Sequence, residues 1–202
     1  MSTLPTTGES AGRRTGRTQA VHTAALELFT QRGYEATTMS DIGAAVGIRG
    51  PSLYKHVSSK QALLAQVMID TMDNLLTLHR TAIAGSDDVT DRLRRAAETH
   101  VRYHARHRQE AFVGNREIRN LEEPNRRSVL DRRAAYANAF RTLVEAGVTQ
   151  GRFHVGSVHL ATYAILDLGM GVSVWYREDG DLTEDEVVYQ YGEFALRLVG
   201  SV

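Results

Sequence analysis

No cysteine occurs among the 202 residues, which excludes disulfides and thiol chemistry and takes the best soft ligand away from any metal site. Proline occurs only three times, as Pro5, Pro51 and Pro124. Each stands where a helix can start or has not begun, and so few helix breakers favour an all-helical chain. No apolar run of about 18 residues is expected, so no membrane span and no membrane partner are expected either. The opening MSTLPTTGES has neither the basic start nor the apolar run of a signal peptide. The expected compartment is the cytoplasm. Signatures of catalysis are missing too: there is no GxSxG, no HExxH and no pair of carboxylates at working spacing. The GMG at 169–171 lies inside an apolar helical stretch with no strand before it, so it is not a phosphate loop. An enzyme is not expected, and no cofactor is implied.

Net charge is the last absence, because 24 lysines and arginines balance 24 acids. The distribution is less even. Residues 1–64 hold seven basic against four acidic side chains, and the remainder holds 17 against 20. A mildly basic amino-terminal module on a mildly acidic body suits a nucleic-acid reader with a second domain. A hydrophobic content of 42% and a charged content of 24% give enough apolar surface for a proper core.

The stretch TTMSDIGAAVGIRGPSLYKHVSSKQALL, residues 37–64, reads as a helix-turn-helix with the start of a third helix behind it. Thr38 is a good N-cap, and Met39, Ile42 and Val46 recur at helical spacing. Gly47 breaks the helix where a left-handed turn is needed, and Ile48 plugs the corner. A second helix is expected to begin around Gly50-Pro51-Ser52, with Leu53 and Val57 facing inward and Arg49, Ser52, Tyr54, Lys55 and His56 outside. A short, polar, partly basic second helix after a glycine turn is the shape that enters a DNA major groove. Ahead of it, Thr18 to Arg32 forms a first helix on a stripe of Val21, Ala24, Ala25, Leu28 and Phe29, with Gly33 as its stop.

These residues resemble the DNA-binding signature of the tetracycline-repressor-like (TetR) regulators. Gly33-Tyr34, Thr37-Thr38, Ile42, Val46-Gly47, Leu53-Tyr54, His56 and Lys60 all fall at the family's spacing. The resemblance implies that Thr38, Tyr54, His56 and Lys60 contact the phosphate backbone, and each carries a group able to donate to a phosphate oxygen. It places Arg49, Gly50, Pro51, Ser52 and Lys55 where bases are read, and an arginine can hold a guanine edge with two hydrogen bonds. It implies a homodimer on a palindromic double-stranded DNA operator, formed through the last two long helices, here Ser157 to Tyr176 and Thr183 to Val199.

The rest of the chain divides as follows. Residues 1–17 are expected to be a disordered basic arm, Arg13, Arg14 and Arg17 either touching DNA or lying solvated. Residues 18–64 are the DNA-binding domain and 65–202 a helical ligand-binding and dimerisation domain. About nine helices are expected in all. They include one from Ser59 to His79, one from Val89 to His107, a short one interrupted near Gly114, a long one opening at Pro124, and two more capped by Ser157 and Thr183. Gly169 and Gly171 in mid-helix suggest either close helix approach or room for a ligand. Segments such as HARHRQEAFVGNREIRNL more diffusely resemble family members that sense acyl-CoA thioesters of fatty-acid or steroid breakdown. That resemblance implies an apolar effector site drawn from His104, Phe112, Tyr136, Phe140, Met170 and Trp175. Arg116, Arg119 and Arg177 would serve the phosphates. His100 and His104 form an HxxxH pair, but without cysteine or a carboxylate at ligand spacing no metal site is expected. A non-CoA hydrophobic effector and a helical adaptor that binds protein alone remain the competing readings.

Overall fold

A computed structural model describes residues 7–201, with side chains described from Gly16 onward. The side chains of Arg13 and Arg14 lie outside the described residues. The described backbone is all helical, with eight α-helices and two short 3-10 helices and no strand among the described residues. It divides into two compact units, one built from residues up to 68 with 113–127, the other from 69–112 with 128 onward.

In the first unit, α1 (Thr7–Arg32) buries Val21, Ala24, Ala25 and Phe29 on the expected stripe. Its backbone is helical from Thr7, well before the expected Thr18, so part of the stretch read as an unstructured arm is helix. After Pro5 nothing in the sequence blocks a helix from starting early. Gly33, at φ +82°, ends α1, and Tyr34 folds back so that its ring lies 5.4 Å from that of Phe29. Helix α2 (Met39–Ala45) opens with a complete capping box. Thr38 Oγ1 accepts from the Asp41 amide at 3.1 Å while the Asp41 carboxylate accepts the Thr38 amide at 2.8 Å. Gly47, at φ +67°, makes the turn.

The next element is shorter than the sequence suggests. Gly50–Lys55 is a 3-10 helix, not an α-helix, six residues long with Pro51 in its first turn, in keeping with the short pieces in which 3-10 helices occur. Leu53 alone anchors it, at 2% exposure. Helix α3 (Lys60–Ile83) follows, with Ser59 Oγ accepting from the Ala62 amide at 3.0 Å. Helix α5 (Arg108–Glu117) is not interrupted at Gly114 but passes into a 3-10 turn at Ile118–Asn120.

The second unit is arranged on α4 (Val89–Arg106), which packs against both α7 (Val158–Trp175) and α8 (Glu184–Leu198). Asp88, Ser157 and Thr183 cap the three helices through their side chains. Arg102 and Arg106 of α4 both grip Glu184 at the start of α8. With α6 (Asn125–Thr149), these helices enclose a core that includes Leu93, Tyr136, Phe140, Val144, Phe153 and Ile165.

Helix α7 corrects one expectation. By length and composition it is apolar enough to cross a membrane, with mean hydropathy 1.3 over 18 residues, yet only 28% of that window is buried within the chain. Its inner side packs through Ala161, Thr162, Ile165, Gly169 and Val172. The outer side keeps Leu160, Tyr163, Leu168, Val174 and Trp175 exposed.

Candidate nucleic-acid interface and buried histidine row

A helix-turn-helix can reach into a groove only if its two elements pack closely and leave polar side chains outside. Gly43 supplies the closeness. A Cβ there would stand 2.7 Å from the Ile48 carbonyl, whose own amide donates back to Gly43 O at 2.8 Å. Its role was missed in the sequence, where a glycine inside a seven-residue helix reads only as a weak helix former. Arg49, Gly50, Pro51, Ser52, Tyr54 and Lys55 then all lie exposed, Tyr54 at 57%. Arg49 and Tyr54 border an open groove of about 670 Å³ that Met39, Ser40, Gly43 and Gly47 also line.

The four expected phosphate contacts differ in how they are held. Tyr54 projects. Thr38 is exposed, but its hydroxyl already bonds the Asp41 carboxylate at 2.6 Å, and that bond heads the interactions that hold the carboxyl below its ordinary range. His56 is half-buried, its Nδ1 3.3 Å from Thr18 Oγ1 of α1. Lys60 turns inward: its ammonium donates to the carbonyls of Tyr34 at 2.8 Å and Thr37 at 2.7 Å, and stands 4.2 Å from the Tyr34 ring centre. Lys60 is therefore a pin that closes the α1–α2 corner, whatever else it touches.

Residues 113–127 also belong to this unit, which places Arg116 and Arg119 here, both exposed. Gln61 holds the segment by donating to Asn120 O at 2.6 Å and accepting from the Glu122 amide at 3.2 Å. Asn120 in turn donates to Glu117 at 2.6 Å, a carboxylate only 3% exposed. Nothing in the sequence pattern marks Glu117, because its burial comes from a long-range packing.

In the second unit, three of the seven expected effector residues come together and four are set apart from them. His104, Tyr136 and Phe140 are buried in one row of rings that also takes in His79 and His100. Tyr136 donates its hydroxyl to His100 Nδ1 at 2.9 Å, and His100 Nε2 donates to Leu166 O at 3.0 Å, which fixes a neutral tautomer. Gly169 makes this possible, since a Cβ there would lie 2.3 Å from His100 Cδ2. Of the two options for that glycine, close approach is the one observed. Burial holds all three imidazoles neutral, lowering His79 and His100 to about 4 and His104 to about 2. Burial also pushes the Tyr136 phenol far above its ordinary value.

Phe112, Trp175 and Arg177 stand outside this row. Phe112 is exposed, Trp175 lies against Tyr176 and Tyr191, and the Arg177 guanidinium donates to the Tyr176 carbonyl at 3.1 Å. Met170 is half-buried on α7.

A polar, partly basic 3-10 helix presented by a tight glycine turn, on a unit distinct from a helical body with a polar heart, defines a helix-turn-helix regulator. Comparison with known proteins gives the family. The description "Tetracyclin repressor-like, C-terminal domain" fits residues 86–199, and "Bacterial regulatory proteins, tetR family" fits residues 22–67. The chain belongs to the TetR family of transcriptional regulators, which are not enzymes. It is 29% identical over 191 residues to the HTH-type transcriptional repressor KstR2 of Rhodococcus jostii strain RHA1, covering 94% of this chain and 93% of that one. The crystal structure of a bacterial regulatory protein in the tetR family from Rhodococcus RHA1 superposes with a TM-score of 0.86 at 30% identity, covering 92% and 98% of the two chains. AibR, solved in complex with isovaleryl coenzyme A and operator DNA, shares the fold at a TM-score of 0.80 and 22% identity, covering 92% and 100%.

Proposed function

We propose that this chain is a ligand-responsive repressor. In this reading a homodimer binds a palindromic operator in the cytoplasm and a small apolar effector, an acyl-CoA thioester, releases it. The observation that carries the DNA-binding half is the exposed row from Arg49 to Lys55 standing on a glycine-tight turn. Tyr54 reaches a phosphate, Arg49, Ser52 and Lys55 face base edges, and Gly50 and Pro51 let the backbone approach. Thr38, His56 and Lys60 hold that row in place while offering their remaining hydrogen-bonding capacity to the backbone of the DNA.

The homodimer is supported by the outer face of α7. Leu160 and Val174 are 68% and 75% exposed, and apolar rows of this length on a folded chain mark an association surface. Exposed Tyr189 and Phe194 extend it on α8. Gly171, with nothing within 4 Å in the chain, lies at the same helical spacing and lets a second copy come close. Two-fold symmetry then matches two recognition elements to the halves of a palindrome.

Acyl-CoA as effector is supported by the polar heart of the second unit and by AibR, whose solved complex holds isovaleryl coenzyme A. The experiment is fluorescence anisotropy of the full-length protein on DNA from upstream of its own gene, titrated with acyl-CoA thioesters and the matching free acids. Binding lost in Tyr54→Ala with an unchanged fold and dimer, and release by a thioester but not its acid, are the expected results. Binding indifferent to every thioester sinks the acyl-CoA effector and keeps the repressor. A Tyr54→Ala protein that binds DNA as before sinks the DNA-reading assignment.

A further inference from the structure

Four buried side-chain atoms that can hydrogen-bond have no partner in the protein among the described residues: His79 Nδ1, Thr90 Oγ1, Arg92 Nε and His104 Nδ1. All lie on α3 or α4, in the second unit. Buried polar atoms are nearly always paired in folded proteins, so each of these calls for a reason. His79 and His104 are the most enclosed, at 3% and 5% exposure.

These two are the end members of the three imidazoles, and beyond His104 the rings run on to Tyr103 at 5.7 Å. His79 lies 4.9 Å from Phe140 and 6.1 Å from Tyr136, Tyr136 and Phe140 flank His100, and His100 lies 4.5 Å from His104. The middle imidazole sets the standard for a structural histidine, since both its nitrogens are bonded, to Tyr136 and to Leu166. The end imidazoles depart from it. A residue that only fills space here would do so better as phenylalanine, which buries no polar atom. The charged or titratable groups that act on the ends are Arg80 and Arg92 toward His79, and His100 and His107 toward His104. None is acidic, and no group of three metal-binding side chains is described.

We propose that Nδ1 of His79 and Nδ1 of His104 are two separate hydrogen-bonding points, each for an uncharged oxygen, a carbonyl or a hydroxyl, carried on the apolar body of the effector. The assignment rests on the reading above that the second unit binds an effector. A neutral imidazole accepts from a hydroxyl or, in its other tautomer, donates to a carbonyl. At the His104 end only imidazoles act, so a carboxylate finds no fixed counter-charge there, and stripping it of water is costly. The His104 point thus selects ketones, alcohols and thioesters over acids.

The test uses full-length protein, with isovaleryl-CoA and the neutral diketone androstenedione as probes in isothermal titration. The variants are His79→Phe, His104→Phe and His104→Gln. Each phenylalanine is expected to leave the ligand-free melting temperature unchanged or raise it. It should also weaken whichever probe binds the wild type about tenfold, the loss of one neutral hydrogen bond. His104→Gln, which keeps an uncharged hydrogen-bonding group, is expected to recover most of that affinity. Wild-type affinity in both phenylalanine variants overturns the subsite and leaves the ligand-responsive reading standing. So does a marked fall in melting temperature, which would show the imidazoles to be needed by the fold itself. If the wild type binds neither probe, the subsite and the reading beneath it fall together.

Discussion

The sharpest demand in the second unit falls on Gly169, and Gly169→Ala measures it. A methyl group at this position would stand 2.3 Å from His100 Cδ2, 3.0 Å from Nε2 and 3.3 Å from Val101 Cγ2. Ordinary carbon contacts begin near 3.5 Å, so the imidazole must retreat by roughly 1 Å or α7 must lift. Phe140 lies 5.8 Å from the imidazole on another side, which leaves little room to retreat. Overpacking of this kind costs about 1–3 kcal/mol. Retreat also draws Nε2 away from Leu166 O, now 3.0 Å distant, and an unmade bond in the core costs a further 1–3 kcal/mol or so. Helix propensity acts in the opposite sense, favouring alanine by about 1 kcal/mol. The balance is a destabilisation of about 1–5 kcal/mol, which urea unfolding followed by circular dichroism resolves, provided variant and wild type are compared at one protein concentration. A variant more stable than wild type by about 1 kcal/mol, the gain of an unconstrained helix glycine, would refute the packing argument.

Three other outcomes are expected. Lys60→Met removes the ammonium from the Tyr34 and Thr37 carbonyls and should lower stability by about 1–3 kcal/mol, seen as a lower melting temperature with no DNA present; a purely DNA-facing lysine would leave it unchanged. Lowering the pH should destabilise the fold. His79 and His100 are held to about 4 and His104 to about 2, below the 6.5 of an exposed imidazole, so the unfolded chain takes up protons first. Stability is then complete above pH 6.5 and declines as pH falls from there toward 4, by up to about 1.4 kcal/mol per pH unit for each imidazole; a melting temperature flat from pH 7.5 to 5 would contradict it. Val174→Glu, on the outer face of α7, should convert a dimer to monomer in light scattering without unfolding the chain; dimers that persist would move the interface elsewhere.

What the sequence disclosed and what it withheld follow from the range of the interactions. Thr38 with Asp41, Gly47, Ser59, Ser157 and Thr183 act within a few residues of themselves, so caps and turns are visible as local spacing. The type of the Gly50–Lys55 helix was not visible, because in so short an element a 3-10 and an α turn bury the same Leu53 and differ in hydrogen-bond pattern, which side-chain spacing does not record. Neither was the place of residues 113–127 in the first unit, which depends on Gln61 reaching Asn120 across 59 positions. The histidine row is an intermediate case. Its α4 members share a helical face and so could be seen together, but His79, Tyr136 and Gly169 enter from three other helices.

That contrast bears on how the molecule is divided between stability and response. The DNA-reading unit satisfies its buried groups locally: the Thr37 hydroxyl donates to Gly33 O at 2.9 Å, Lys60 closes the corner, and Asn120 meets buried Glu117. Among the described residues, the buried side-chain atoms left without a partner all fall in the second unit, on α3 and α4. A rigid reader needs every polar group paired, since a loosened recognition element blurs its register on DNA. An effector unit is under the opposite constraint, because a core already complete offers a ligand no differential affinity and hence no means of shifting an equilibrium. On this argument, phenylalanine at both His79 and His104, with His100 kept, should yield a repressor that folds at least as well, binds its operator as tightly and needs far more effector to let go.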